Sequence, residues 1–309
     1  MREEGGRFDC ASPLEIRQAL NTGVSPSHII YANPCKSHED IQSAKQLGIS
    51  TTVVDSPEEV QKLLEAGYDG KTLIRLKVPD AASAQPFSRK FGAPLSDVPD
   101  ILDALRAARI QHTGWSFHVG SLCGQPKQFS GAIELCAAAA EVAGRAPEVV
   151  DIGGGFIPDP EQFAAAAAEV RAAQCLFPMT TSWIAEPGRF ISSPVATLYV
   201  TVIGVKKRPD GGKIYTVDDS VYGTFSNIPF DGQKPVYTLI TGPVAPDRPR
   251  THATIFGRTC DSADCLVENI ELPELRVKDV LEVRNMGAYT TVSASYFNGF
   301  PMPVRQYSF

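Results

Sequence analysis

The sequence predicts an α/β barrel that lacks its first strand, followed by an all-β domain of antiparallel sandwich type. Three observations carry this. Over residues 1–191, short and nearly continuous apolar runs alternate with amphipathic segments, as parallel strands do when helices bury both faces. From residue 192 to 309 the helical segments stop, and runs rich in β-branched residues are separated by Pro, Gly and Asp turns. In the first region the chemically reactive residues follow the apolar runs, and a barrel keeps its active site at the C-terminal ends of its strands.

Taken in order, the first region offers seven strands, at residues 6–10, 28–32, 51–54, 72–78, 114–119, 149–152 and 183–185. Among the helices between them, one opens at Ser56-Pro57-Glu58-Glu59. That order gives a capping hydroxyl, a proline at the first helical position and acids in the first turn. Val60, Leu63 and Leu64 then fall at helical spacing, and residues 95–108 and 128–143 repeat the pattern. The second region offers strands at 195–205, 213–217, 236–241, 252–256 and 280–283. Lys206-Lys207-Arg208 runs into Pro209-Asp210-Gly211-Gly212 and reads as a solvated hairpin.

Composition excludes several classes. The 309 residues are 43% hydrophobic with a net charge of −6, which argues for a soluble globular protein and against a basic nucleic-acid surface. No run approaches the ~20 apolar residues of a membrane span. Met1-Arg2-Glu3-Glu4 is polar with no apolar run behind it, so no signal peptide is expected. Seven cysteines without a secretory signal imply reduced thiols and a cytoplasmic setting. Cys260 and Cys265 have no second pair at zinc spacing, so no metal site is expected.

Five motifs carry chemistry. Asp151-Ile152-Gly153-Gly154-Gly155-Phe156 exposes backbone N–H groups between a strand and a helix, which suits a phosphate or a structural turn. In Ile184-Ala185-Glu186-Pro187-Gly188-Arg189, Glu186 can pair with a protonated ring nitrogen while Gly188 and Arg189 face a phosphate; a salt-bridged loop is the plainer reading. Phe117-His118-Val119-Gly120-Ser121 offers an imidazole to stack on a flat ring and a hydroxyl for phosphate, or a core histidine. Gly257-Arg258-Thr259-Cys260-Asp261 sets a thiol beside a carboxylate, able to return a proton to a carbanion or simply to line a loop. Asp218 and Asp219, ahead of Tyr222-Gly223, suit a substrate ammonium or a polar turn.

These motifs recur in order with Phe8-Asp9-Cys10-Ala11-Ser12, Tyr31-Ala32-Asn33-Pro34-Cys35-Lys36 and Asn285-Met286-Gly287-Ala288-Tyr289-Thr290. From Phe8 onward the chain resembles the pyridoxal-phosphate-dependent decarboxylases of basic amino acids, the ornithine decarboxylase family. The resemblance implies an alanine-racemase-like barrel binding pyridoxal phosphate, a β-sandwich domain and a head-to-tail homodimer with shared active sites. It implies conversion of L-ornithine to putrescine and carbon dioxide in polyamine biosynthesis. Matched motif by motif, Glu186 would pair with the pyridine nitrogen, Arg75 would hold Glu186, and His118 would stack on the ring. Ser121, Gly153, Gly154, Gly155, Gly188, Arg189 and Tyr289 would hold the phosphate. Asp9 and Glu15 would lie near the cofactor's reactive carbon. Asp219 would face the substrate together with Asp261 and Cys260 of the other subunit, and Lys90 would reach Asp264 across the dimer.

In the family an earlier strand ends in a P-F-Y-A-V-K-type motif whose lysine carries the cofactor. That segment is not in this sequence, and Lys36 belongs to a motif that lysine-containing relatives also have. The resemblance therefore leaves three expectations open: a truncated decarboxylase, a non-catalytic regulator like the antizyme inhibitors, or a short homologue with different chemistry, with or without the cofactor. An antizyme would bind around residues 36–59.

Overall fold

The computed structural model describes residues 5–240 and 248–307. Residues 1–4, Thr241 at the end of one expected strand, and Ser308-Phe309 lie outside the described residues. The chain divides into two compact units, Met1–Pro187 and Gly188–Phe309.

The first unit alternates strand and helix as its sequence pattern requires. It runs β1 (Phe8–Cys10), α1 (Pro13–Asn21), β2 (Ile29–Tyr31), α2 (His38–Gln46), β3 (Thr51–Val54), α3 (Pro57–Glu65), β4 (Lys71–Arg75) and β5 (Ser83–Gln85). It continues through α4 (Val98–Ala108), β6 (Gln111–Ser116), β7 (Ser121–Cys123), α5 (Lys127–Ala143), β8 (Val149–Asp151), α6 (Pro160–Ala173) and β9 (Ser182–Ile184). The helices begin where the chemistry directs. Ser12, Ser37, Ser56 and Asp159 each accept a hydrogen bond from a first-turn N–H, and Pro13, Pro57 and Pro160 open the helices behind them. Ser12 and Glu15 close a reciprocal cap, because Glu15 Oε2 accepts the Ala11 N–H at 2.7 Å.

Seven strands form one parallel sheet in the order β1-β2-β3-β4-β6-β8-β9. They are the seven read from the sequence. Ile30, Val53 and Leu73 from β2, β3 and β4 pack together with Val149 of β8. A strand so far along the sheet meets the others only if the sheet curls, so this is the wall of an α/β barrel. Leu73, Ile74, Val53, Val54 and Trp115 are fully buried in it, each such aliphatic side chain contributing ~1.5–3 kcal/mol. A second core cluster joins Cys10 and Tyr31 of β1 and β2 to Ile16 and Ala19 of α1.

Two features were not legible in the sequence. β5 and β7 pair antiparallel, Ser83 with Cys123 and Gln85 with Ser121. The loop after β4 is thereby sewn to the loop after β6. The second feature is Lys36, buried at the end of β2. Its ammonium donates to Asn33 O and Val53 O, both at 2.8 Å, and meets Glu59 Oε1 at 2.8 Å. All three donors of the ammonium are used, so Lys36 is a structural anchor and not a stand-in for a cofactor lysine.

The second unit comprises α7 (Gly188–Ser192), β10 (Leu198–Lys207), β11 (Lys213–Val217), α8 (Asn227–Asp231), β12 (Tyr237–Ile240), β13 (Arg250–Phe256), β14 (Cys265–Pro273) and β15 (Val280–Val283). One six-stranded sheet has the order β12-β15-β10-β11-β13-β14. Long β10 pairs with β15 through Leu198–Thr201 and with β11 from Val202 onward. A single apolar core takes Tyr237, Leu281 and Val283 from one side and Ile255, Leu266 and Leu272 from the other, so both halves of the sheet enclose it in the manner of a sandwich. Pairing is antiparallel except between β11 and β13, which run parallel. The basic run at 206–208 forms the expected hairpin, closed by Arg208 N to Gly212 O at 2.8 Å. Among the described residues, no helix is long and apolar enough to cross a membrane.

Candidate active site

The loaded residues of the first unit converge at the C-terminal ends of its parallel strands. Asp9 lies on β1, Arg75 ends β4, Asp151 ends β8, Glu186 follows β9, and His118 sits between β6 and β7. Carboxyls outnumber cations here. Burial, then Asp151, raises the Glu186 pKa well above its usual range, and Arg75 offsets part of this. Burial, then Glu186 and Glu15, raises Asp9 likewise. Asp9 is nevertheless solvent-accessible, so it lines a concavity rather than the packed interior. Glu186 Oε1 is buried with no hydrogen-bond partner. A group able to bring a buried N–H and a positive charge is what this arrangement lacks.

His118 is held neutral. Burial, then Arg75, pushes its pKa down to about 3. Its Nδ1 accepts the Gly120 N–H at 3.0 Å, which leaves the ring proton on Nε2. The ring of Phe87 lies 4.8 Å away, fixed by the Phe87 and Ser88 N–H groups donating to Asp80 Oδ2 at 2.6 and 2.7 Å. Arg75 makes no ion pair with Glu186 among the described residues; its guanidinium lies 5.2 Å from the centre of the Phe91 ring. It acts on Glu186 through its field.

The three glycines are constrained from both sides. A Cβ on Gly153 would stand 2.3 Å from Phe117 O, one on Gly154 2.6 Å from Glu186 O, and one on Gly155 2.4 Å from Gly120 O. Gly153 and Gly155 also have φ of +61° and +100°, which side chains rarely adopt. The loop therefore needs glycine to lie against the His118 and Glu186 segments, and its first N–H, that of Gly153, donates to Asp151 Oδ1 at 2.9 Å. Ser121 opens β7 beside it.

In the second unit Gly188, Arg189 and Tyr289 come together. The Arg189 guanidinium lies 4.7 Å from the centre of the Tyr289 ring, and a Cβ on Gly188 would stand 3.3 Å from the Tyr289 hydroxyl. Sequence reasoning missed Asp231. It pairs with buried Arg189 at 2.7 Å across a separation of 42 residues, and no motif marks it. Cys260 is exposed, its N–H donating to Asn298 Oδ1 at 3.2 Å. Asp261 accepts the Tyr222 hydroxyl.

Two acids expected to face the substrate and the dimer partner lie within their own loops. Asp219 caps its own turn: Oδ1 accepts the Ser220 and Thr224 N–H groups at 2.7 and 3.0 Å, and the residue is 6% exposed. Its Oδ2 is buried with no hydrogen-bond partner, an acceptor of the kind an ammonium group fills. Asp264 is 0% exposed and accepts from Val221 N, Thr259 N and Thr259 Oγ1 at 2.8, 3.0 and 2.7 Å, so its carboxylate is closed inside its own loop.

The pH response follows from these shifts. Asp9 and Glu186 keep their protons in the fold at pH values where the unfolded chain releases them, above about pH 4. Their contribution is complete below that and is lost as pH rises. The histidines act oppositely. An unfolded histidine protonates below about pH 6.5, whereas folded His118 waits until about 3 and folded His112, buried beside Arg145, until about 4; their contribution is lost as pH falls. As pH rises from about 4 the carboxyls lower the unfolding temperature of the ligand-free protein and the histidines raise it, so the opposing trends should leave the profile shallow between about pH 4 and 6, with a decline once the unfolded histidines have lost their protons. Thermal denaturation across pH checks this. A steep acid decline would mean that the two carboxyls are ionised in the fold.

Comparison with known proteins adds four findings. Residues 1–193 match the family described as pyridoxal-dependent decarboxylase, pyridoxal binding domain. The chain is 35% identical over 324 residues to a probable ornithine decarboxylase of Dictyostelium discoideum, covering 98% of this chain and 70% of that protein. It is 36% identical to antizyme inhibitor 2 of Xenopus laevis, over 97% of this chain and 70% of that one. The crystal structure of the Paramecium bursaria Chlorella virus arginine decarboxylase bound to agmatine superposes with a TM-score of 0.91 at 33% identity, over 96% of this chain and 82% of that one.

Proposed function

Since this chain belongs to the pyridoxal-dependent decarboxylase family, we propose that it takes carbon dioxide from L-ornithine to give putrescine, a step of polyamine biosynthesis, with pyridoxal phosphate as cofactor. The observation that carries the reading is Glu186, a buried carboxyl with an oxygen lacking a donor beside a neutral imidazole at the strand ends. The residues fit the cofactor. A pyridinium N–H supplies the donor that Oε1 lacks, and its charge offsets the surplus of carboxyls. Gly153, Gly154 and Gly155 leave no side chain between their backbone and a phosphate.

When bound, pyridoxal phosphate supplies an electron sink for the pair left behind by the departing carboxylate. The chain's own residues do the rest. Glu186 holds a proton on the ring nitrogen, and the field of Arg75 favours its anionic form. His118, kept neutral, lies against the ring without adding a competing charge. In the first unit Gly153, Gly154, Gly155 and Ser121 take the phosphate. In the second, Gly188, Arg189 and Tyr289 offer further phosphate ligands, with Asp231 holding Arg189 in place. Asp9 and Glu15 serve the reactive end of the cofactor. Asp219, with Asp261 of the other subunit, takes the distal ammonium of the basic substrate, and the Cys260 thiol of that subunit returns a proton to the substrate carbon. The reading includes residues 1–191 as the cofactor domain and 192–309 as the sandwich domain, a cytoplasmic homodimer with shared sites, and antizyme as a further partner.

The test is formation of carbon dioxide and putrescine from L-ornithine by the purified protein with added pyridoxal phosphate, run beside L-arginine and L-lysine. Turnover of L-ornithine above the other two supports the assignment. Preference for either of them overturns the substrate. Cofactor binding without product from any of the three would favour a regulator, which the likeness to antizyme inhibitor 2 supports.

A further inference from the structure

Asp151 stands beside Glu186 and is used by nothing in the reading above. Its carboxyl is fully buried and accepts the Gly153 N–H at 2.9 Å. Glu186 follows β9, which pairs with β8 at Asp151 and Ile184, and the two carboxyls act on each other. Asp151 Oδ2 and Glu186 Oε1 are both buried and find no donor. Two ionised carboxylates have no proton to offer one another, and a single proton held between them satisfies both oxygens.

We propose that Asp151 is a positioning residue for Glu186, and that the pair carries one shared proton in the ligand-free protein and gives it to the cofactor's ring nitrogen. The inference rests on the pyridoxal phosphate reading of the site. In the transfer an O–H bond of the pair breaks and an N–H bond forms, leaving two carboxylates beside one pyridinium. The surroundings suit that exchange. Asp9 on β1 and Glu15 on α1 add further carboxyls. Arg75 from β4 is the opposing cation, His118 is neutral, and Cys136 of α5, buried near Asp151, keeps its thiol proton. With the proton on the ligand, Arg75 and the pyridinium together balance Asp151 and Glu186. Asp151 also fixes the first glycine of the phosphate loop, so one side chain ties the nitrogen end of the site to its phosphate end.

Infrared spectroscopy of the ligand-free full chain tests this directly. The C=O stretch of a buried protonated carboxyl should be present at neutral pH, and one such band, distinct from any that Asp9→Asn removes, should be lost in both Asp151→Asn and Glu186→Gln. Pyridoxal phosphate titrations add a readout that a purely structural role would not move. Above the pH at which the free ligand's ring nitrogen loses its proton, the wild-type affinity should be nearly independent of pH, whereas that of Asp151→Asn should fall about tenfold per pH unit, because the ligand must then find its proton in solution. Absence of the carboxyl band in the wild type, or parallel affinity profiles for the two proteins, would overturn the proposal. Should Asp151→Asn not fold, the wild-type band and its loss in Glu186→Gln still decide. Should pyridoxal phosphate not bind, the cofactor reading fails while the band alone decides the shared proton.

Discussion

Replacing Glu186 with glutamine should lower kcat/KM for decarboxylation by ~10²–10³, the usual scale for losing one preorganised electrostatic partner, while making the ligand-free protein more stable. The two effects have one origin. Glu186 is a buried acid with an unsatisfied oxygen among other acids. A glutamine amide brings Asp151 a permanent donor and needs no proton from solution to stay neutral, and relieving one such group is worth roughly 1–3 kcal/mol. Steady-state kinetics and chemical denaturation of the same two proteins check both halves. A variant that keeps its activity would remove Glu186 from the chemistry. A variant that is less stable would mean that Glu186 is needed by the fold and not held there for function.

Replacing Lys36 with methionine should cost roughly 3–5 kcal/mol, the range for breaking a buried ion pair from one side. The loss strands Glu59, whose side chain is 3% exposed, and frees the carbonyls of Asn33 and Val53. Lys62 reaches the second oxygen of Glu59 at 2.5 Å and softens the loss without supplying the carbonyls. Urea denaturation should show a lower midpoint at unchanged slope, and adding Glu59→Gln should recover part of it. A change below about 1 kcal/mol would mean that the site relaxes to admit water.

How much of this was legible in the sequence differs by element. The seven parallel strands fell where their apolar runs lay, because a strand buried on both faces has little choice of residue. The β5–β7 pair did not announce itself: Ser-Ala-Gln and Ser-Leu-Cys are three residues each, and their pairing depends on two loops meeting in space. β14 was also missed. Its nine residues include Glu268, Asn269 at φ +53° and Glu271, which break the alternation that marks a half-buried strand. The parallel pairing of β11 with β13 leaves no trace in either sequence. At the site, motifs supplied the residue types, but charge balance could not be read from them. That Asp151 meets Glu186, that Asp231 meets Arg189, and that Asp264 turns inward are facts of packing. Asp219 divides its roles in a way no motif records: one oxygen caps its own turn while the other is buried without a donor.

The stitch between β5 and β7 bears on how this site can be remodelled. In most barrels each loop at the strand ends can be lengthened, shortened or swapped alone, and new specificities arise by such single exchanges. Here Ser83 holds Val119 O with its hydroxyl, and the backbone of Gln85 leaves Gly120 no room for a side chain. The segment that presents Phe87 and the one that presents His118 and Ser121 are thus inherited as a pair. An insertion in either would have to be matched in the other, so laboratory evolution aimed at a new substrate has more freedom in the loops elsewhere around the rim.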